Sequence, residues 1–296
     1  MRKKTLPKLV IFGDTTKGNV SSAVEEFAGF ARGKAHILAR CGIDQCTTDV
    51  IKDSDYAVVF GGDGTIISAG RQLSQSRVPV IGVNLGKLGF LAEFGVEELK
   101  RFFDQIIKGK VSIERRLMLD CRIMRDGQEK FRSAAINDIF ITSGPPFRMI
   151  ELRVTVDGQA LAGFVSDGLI ICTPTGSTAY NLSAGGPIVS CNIEAMVISA
   201  ICPHSLSVRP VVINARSKVA VFGTRVNEGT TVSVDGQMSY SLSSADEVQV
   251  ERHSSDFLVV NNPFRTEWDT LTTKLNWAEK PKYNLDNARD GGKEGI

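Results

Sequence analysis

The chain has 296 residues, of which 42% are hydrophobic and 23% charged, and its formal net charge is +2. At roughly 150 residues per domain this allows two domains with real cores, and the near-neutral charge gives no reason to expect a nucleic-acid or anionic-membrane partner. No run approaches the roughly 18 apolar residues of a spanning helix, and the basic start has no apolar stretch ending in small residues, so neither a membrane anchor nor a signal peptide is expected. Six cysteines, at positions 41, 46, 121, 172, 191 and 202, form no C-x-x-C pair and no zinc-like spacing. Those at 172, 191 and 202 sit in apolar, strand-like surroundings, where a thiol is a small hydrophobe. Reduced cysteines in a cytoplasmic protein are the simplest expectation.

In chain order, residues 9–12 read as a strand ending at Gly13-Asp14. A helix follows over about 19–31, with Val20, Val24, Phe27 and Phe30 on one face. A short strand at 35–38 precedes the apolar run 57–60, a buried parallel strand that breaks into Gly61-Gly62-Asp63-Gly64-Thr65. A helix then carries Ile66, Ala69, Gly70 and Leu73 to about residue 75, and residues 78–83 are a further buried strand. A helix at 97–107 ends near Gly109. Strands alternating with helices predict a doubly wound, parallel α/β domain over residues 1–110.

After Lys110 the texture changes. Strands are predicted at 119–124, 137–142, 150–156, 169–172, 208–213, 218–222, 230–234, 247–252 and 257–260. Asp126-Gly127, Asp157-Gly158 and Asp235-Gly236 are hairpin signals between them. A β-rich domain over 111–263 is expected, interrupted by one helix-like island at 173–187 and followed by a polar tail at 281–296. The predicted fold class is therefore α/β plus all-β.

The glycine turn at 61–65 has the makings of an anion site: glycines permit close backbone approach, and free N–H groups at a helix start favour phosphate. Its unusual member is Asp63, which would repel a phosphate. A turn presenting a base or a metal ligand beside a phosphate accounts for that acid, whereas the blander account makes Asp63 an N-cap. The chain has no P-loop motif and no G-x-G-x-x-G opening a helix, which argues against a P-loop enzyme and a Rossmann dehydrogenase.

The second feature is T-P-T-G-S-T-A-Y-N-L-S-A-G-G-P. The hydroxyls of Thr175, Ser177 and Thr178 cluster at a predicted helix start, and Tyr180 and Ser183 share a helical face. Such a group suits an adenine or ribose; the blander account is a hydroxyl-capped helix packed on a sheet. Asn137-Asp138 and Asp167-Gly168 adjoin apolar strands, where a carboxylate can accept from two ribose hydroxyls, although each pair alone also suits an ordinary turn. His204, next to Pro203, reads as a core residue rather than a catalyst.

F-G-G-D-G-T, N-L-G-K-L-G-F-L, I-N-D, S-D-G-L-I-I-C-T-P-T-G-S-T-A-Y-N-L-S-A-G-G-P and P-H-S-L-S-V-R-P, in this order between about residues 57 and 215, resemble the NAD kinase family. The resemblance implies a fold like that of NAD and diacylglycerol kinases, with the site between the domains and with about 264–280 returning to the first domain. It implies Mg2+-supported transfer of a phosphoryl group from ATP, or polyphosphate, to the adenosine ribose 2′-OH of NAD, giving NADP. Carried onto this chain, it makes Asp63 the general base and Gly61, Gly62, Gly64 and Thr65 the phosphate turn. Asn137 and Asp138 would hold the ribose. Asp167, Thr178, Ala179, Tyr180, Asn181, Leu182 and Ser183 would hold the rest of the dinucleotide, with Asn84 and Phe90 lining the pocket. Arg148 and Gln237 stand at further matching positions. A homodimer or homotetramer is implied.

Two departures stand out: the amide–acid pair is often Asn-Glu in the family, and Val165 replaces a basic residue, which bears on the choice of NAD or NADH. The rival readings are a lipid kinase sharing the first motif, for which no basic amphipathic helix is evident, and a non-catalytic NAD(P)-binding regulator, against which the retained Asp63 argues.

Overall fold

The computed structural model describes residues 6–43, 45–86 and 89–277. The first body begins with β1 (Lys8–Gly13), α1 (Gly18–Ala31), β2 (His36–Cys41), α2 (Thr48–Lys52) and β3 (Tyr56–Phe60). It continues through α3 (Asp63–Leu73), β4 (Val80–Asn84), the short β5 (Phe94–Gly95), α4 (Val96–Ile106) and β6 (Ile113–Arg116). Ala57, Val58, Val59 and Phe60 are all fully buried, because the sheet is covered on both faces. Helices α1 and α4 pack on one face around Phe27 and Phe103, whose rings meet edge to face at 5.4 Å. Helices α2 and α3 cover the other face with Ile51, Ile66 and Leu73.

The second body contains β7 (Leu119–Arg125), β8 (Gln128–Ala135), β9 (Asp138–Thr142), β10 (Ile150–Val156), β11 (Gln159–Ser166) and β12 (Gly168–Cys172). After a 3-10 turn at Thr175–Thr178 come the single-turn α5 (Tyr180–Ser183), β13 (Ala195–Ile201), β14 (Val211–Asn214), β15 (Val219–Arg225), β16 (Thr231–Val234), β17 (Met238–Ser241) and β18 (Asp246–Arg252). Two antiparallel sheets result, in the orders β11-β10-β15-β18-β7-β8 and β14-β13-β12-β9-β16-β17. Alternate residues from both, among them Leu152, Val221 and Val250 against Ile139, Ile171 and Val232, interlock in one core. The expected hairpin turns are present: Asp126, Gly127, Asp157, Gly158, Asp235 and Gly236 all have positive φ.

The chain then returns. β19 (Phe257–Val260) lies parallel to β4 and antiparallel to β6, and α6 (Glu267–Leu275) follows. Residues 257–260, expected in the β-rich domain, therefore complete the first sheet, whose order is β2-β1-β3-β4-β19-β6 with β5 on β4. Hydrogen bonding to β4 and β6 decides this, and local sequence cannot report it. Strands β8, β11 and β17 were not anticipated, because they are edge strands rich in polar and small residues. β13 reads A-M-V-I-S-A-I, an apolar run with no period to separate helix from strand.

Three further expectations are corrected. Cys41 and Cys46 form a disulfide rather than free thiols; the bend after β2 brings their Cα atoms within 5.3 Å. His204 is exposed rather than in the core, and so is Cys202, because β13 ends at Ile201 and the chain leaves the sheet there. The segment 173–187 is a 3-10 turn plus one α-helical turn, not a full helix. The tail at 281–296 lies outside the described residues.

Gly70 shows how closely the two bodies approach. A Cβ there would collide with Ile136 and would come 2.8 Å from the Phe257 ring. Gly70→Val is expected to cost about 1–3 kcal/mol by overpacking this junction, measured as a lower urea midpoint at unchanged slope.

Candidate active site

β3 ends at Phe60, and the Gly61 N–H donates to the Val83 carbonyl at 2.9 Å. Gly61 has φ +156°, and a Cβ on it would meet the Thr65 side chain, so the turn needs glycine. Gly62, not Asp63, is the N-cap of α3. Asp63 is the first helical residue, and the N–H groups of this first turn have no partner within the helix.

The Asp63 carboxylate is turned across the cleft floor to three consecutive amides. It accepts the N–H of Phe90 at 2.9 Å, of Leu91 at 3.0 Å and of Ala92 at 3.2 Å. Lys274, on the last turn of α6, completes the shell with its Nζ 3.3 Å from Oδ2. Two glycines make this possible. A Cβ on Gly89 would strike the Asp63 carboxylate, and one on Gly82 would strike the Leu91 carbonyl. Asn84, at the end of β4, accepts the Gly86 N–H at 2.7 Å and so shapes the start of the same loop.

The opposite wall comes from the β-rich body. Asp138 begins β9, only 4% exposed, and faces the backbone N–H of Tyr180. Its neighbour Asp235 sits in the hairpin between β16 and β17 and accepts the N–H groups of Ile136, Asn137 and Asp138 at 3.0, 2.8 and 3.1 Å. Burial, and then the charge of Asp235, push the Asp138 carboxyl up to about 7. Burial also raises Asp235, but three amides and the Arg71 guanidinium 3.7 Å away oppose it. Asp235 thus has amides and a guanidinium to hold its charge, and Asp138 is the carboxyl pushed toward its neutral form.

Gln237 in the same hairpin clasps the glycine turn. Its Nε2 donates to the Gly64 carbonyl at 2.8 Å, and its Oε1 accepts from Arg71 at 2.6 Å. Glycine turn, Asn137-Asp138 and Gln237 are therefore brought to one place.

Of the 173–187 block, Thr178, Ala179 and Tyr180 face this cleft edge. The Tyr180 ring meets Phe140 edge to face at 5.1 Å, and Ser183 is exposed one turn on. Thr178, with Phe90, also lines a cavity of about 700 Å³ that extends beneath α6. Asn181 is a correction. It is fully buried, and its amide donates to the Ser177 and Pro187 carbonyls at 3.1 Å each while its Oδ1 accepts from Ser199 at 2.7 Å. Those bonds make it a scaffold residue rather than a ligand contact. Ser177 is likewise buried, donating to the Pro174 carbonyl at 2.6 Å and accepting the Val189 N–H at 3.0 Å. Leu182 is half-buried beside them.

Asp167 and Arg148 do not join the group. β12 runs antiparallel to β9, with Cys172 opposite Asp138 and Gly168 opposite Thr142. Asp167 therefore lies at the far end of a five-residue strand from Asp138, some 13–17 Å away at about 3.3 Å per residue. Arg148 is on the exposed loop near that end, its carbonyl accepting from Asn227 at 2.6 Å.

Family models for the ATP-NAD kinase N-terminal and C-terminal domains match residues 11–111 and 136–262. An NAD kinase of Rhodopirellula baltica is 38% identical over 273 residues, covering 92% of this chain and 87% of that protein. One from Thiobacillus denitrificans is 37% identical, covering 91% and 97%. The chain belongs to the NAD kinase family. Its activity is accordingly ATP-dependent phosphorylation of NAD, and neither a lipid kinase nor a binding-only regulator is what this family is. Among solved structures, yeast NADH kinase complexed with NADH has a TM-score of 0.84 at 26% identity, covering 95% of this chain and 90% of that one. An Archaeoglobus fulgidus NAD kinase in complex with ATP scores 0.74 at 25% identity, covering 91% and 98%.

Within this NAD kinase, the sequence reading missed Arg71, Asp235, Gly89 and Lys274. Gly89 stood inside the N-L-G-K-L-G-F-L motif without a role of its own, and Asp235 carried only a hairpin Asp-Gly signal, which speaks of the turn rather than of three amides.

Asp138 makes the site pH-sensitive. The folded carboxyl binds its proton more tightly than its ordinary value of 3.8 would allow. Its contribution to stability is therefore full below about 4 and is lost as pH rises to about 7. Ligand binding runs the other way if the ionised form grips hydroxyls. The KM for NAD is expected to rise as pH falls below about 7, with a slope that Asp138→Asn abolishes, in a steady-state pH profile.

Proposed function

We propose that Asp63 is the general base of this NAD kinase, acting on the adenosine ribose 2′-OH of NAD while ATP lies along the glycine turn. The observation that carries this is the setting of Asp63: on a phosphate-type turn, yet held by the three amides of residues 90–92 instead of capping its own helix. Phosphoryl transfer is loose, so the protein's work is positioning and charge neutralisation. The terminal P–O bond to the leaving ADP breaks, a P–O bond to the ribose oxygen forms, and the hydroxyl proton passes late to Asp63. Asp138 and Asn137 fix the ribose, and Tyr180 and Phe90 supply apolar surface for the base.

Among the described residues no group of three or more His, Cys, Asp or Glu could hold a metal ion, so Mg2+ would be held chiefly by water and the substrate phosphates, with Asp63 the nearest carboxylate of the turn. When bound, the ion neutralises the triphosphate.

We also infer a homo-oligomer, a dimer or tetramer. Asp167 and Arg148 stand apart from the glycine turn and Asn137-Asp138 of their own chain, and the same chain leaves Phe147 72% and Leu206 91% exposed. A second copy gives both a substrate to touch and these side chains a cover. Light scattering is expected to show a multiple of the 32.1 kDa chain, and a monomer at assay concentration would remove the inference.

Asp63→Asn is expected to lower NADP formation by at least about a thousandfold. NAD affinity, measured by calorimetry, should stay within about threefold. Parallel reactions with NADH and with polyphosphate define the substrate and donor range. Equal loss of binding and turnover would reduce Asp63 to a structural residue.

A further inference from the structure

Helix α6 is a rigid arm laid over the mouth of the site. Its N-terminus is closed by a capping box in which the Asp269 N–H donates to Thr266 at 3.2 Å and Asp269 accepts the Thr266 N–H at 2.9 Å. Glu267 accepts from the Ser190 hydroxyl at 2.6 Å and from the Cys191 N–H at 3.3 Å, fixing the helix to the β-rich body. Arg265 donates to Glu98 at 2.7 Å, and the Phe264 and Phe102 rings lie 5.1 Å apart, fixing the preceding residues to α4. Leu271 is buried, and Lys274, three residues on, lies over the same face.

Lys274 thereby reaches the centre of the site. Besides its contact with Asp63, its Nζ lies 5.1 Å from the centroid of the Phe90 ring. The side chain is 29% exposed, so the contact with Asp63 does not enclose it fully. The pairing has a physical sense at both ends. Lys274 is at a helix C-terminus and Asp63 at a helix N-terminus, so each charge stabilises its own helix end. A carboxylate in a phosphate turn repels a triphosphate, and a lysine against it removes that repulsion without occupying the turn itself.

We propose that Lys274 is a substrate-binding cation of the phosphoryl-transfer centre, bridging Asp63 and the terminal phosphate of the donor. This rests on the assignment of Asp63 as base. The ammonium keeps its three protons throughout: one is directed to Asp63, which it orients, and another to an equatorial oxygen of the transferred group, where charge spreads in the transition state. Held by α6, it arrives prepositioned by a part of the chain far from the kinase motifs.

The test compares Lys274→Met and Lys274→Arg, varying ATP and NAD separately, with NAD affinity by calorimetry. Lys274→Met is expected to raise the KM for ATP, or lower kcat, by about tenfold or more, with NAD affinity within about twofold and Arg restoring activity to within about threefold. Unchanged kinetics in Lys274→Met would reduce the contact to a surface ion pair. Faster turnover would make Lys274 an inhibitory plug, and a matched loss of ATP and NAD affinity would make it structural; each overturns the proposal. Asp63→Asn assayed alongside separates the two readings, because an active Asp63→Asn overturns the base assignment whatever the Lys274 variants do.

Discussion

At two places among the described residues a single carboxylate gathers three consecutive backbone N–H groups, and the site stands on those two clusters. Asp63 holds the amides of residues 90–92, and Asp235 holds those of 136–138. A run of N–H groups left unpaired inside a protein costs free energy comparable to the lost bonds, and a charged acceptor satisfies three at once. The first cluster ties the glycine turn to the loop after β4. The second ties the start of β9 to the hairpin between β16 and β17. In each case an acid does for a loop what a neighbouring strand would do for a ladder.

Arg71 and Gln237 connect the clusters. Arg71 leaves α3 toward Asp235 and Gln237, while Gln237 returns to the Gly64 carbonyl. The first body thus grips the second through polar contacts beside the substrates, and the apolar contact of Ile136 and Phe257 lies behind them. The chain's return through β19 and α6 adds a third connection. It brings Lys274 to a carboxylate 211 residues earlier in sequence, so the electrostatics of the site depend on an element outside every recognisable motif.

Asp138 shows what close packing does to chemistry. Placed beside Asp235 and away from water, it is pushed into the neutral range, where its charge changes with modest shifts in pH. Asp235 escapes that role because its oxygens are already occupied by amides. Two acids one strand apart are set to different tasks by their hydrogen bonds, not by their identities.

Much of this was legible in the amino-acid sequence. Apolar runs and helical periods located the elements of the α/β half, Asp-Gly pairs located hairpins, and the glycine turn with its odd acid located the chemistry. Those signals are local: period, turn chemistry and motif are written within a few residues of one another. What only the tertiary structure decided is non-local. Residues 257–260 join the first sheet through partners more than a hundred residues away, Asn181 turns inward because Ser199 and Pro187 await it, and Asp167 and Arg148 are carried off by the antiparallel run of β12 against β9. Lys274 reaches Asp63 only because a capped helix returns across the cleft. Pairing and return of the chain are set by the packing of the whole, so no stretch of sequence carries them by itself.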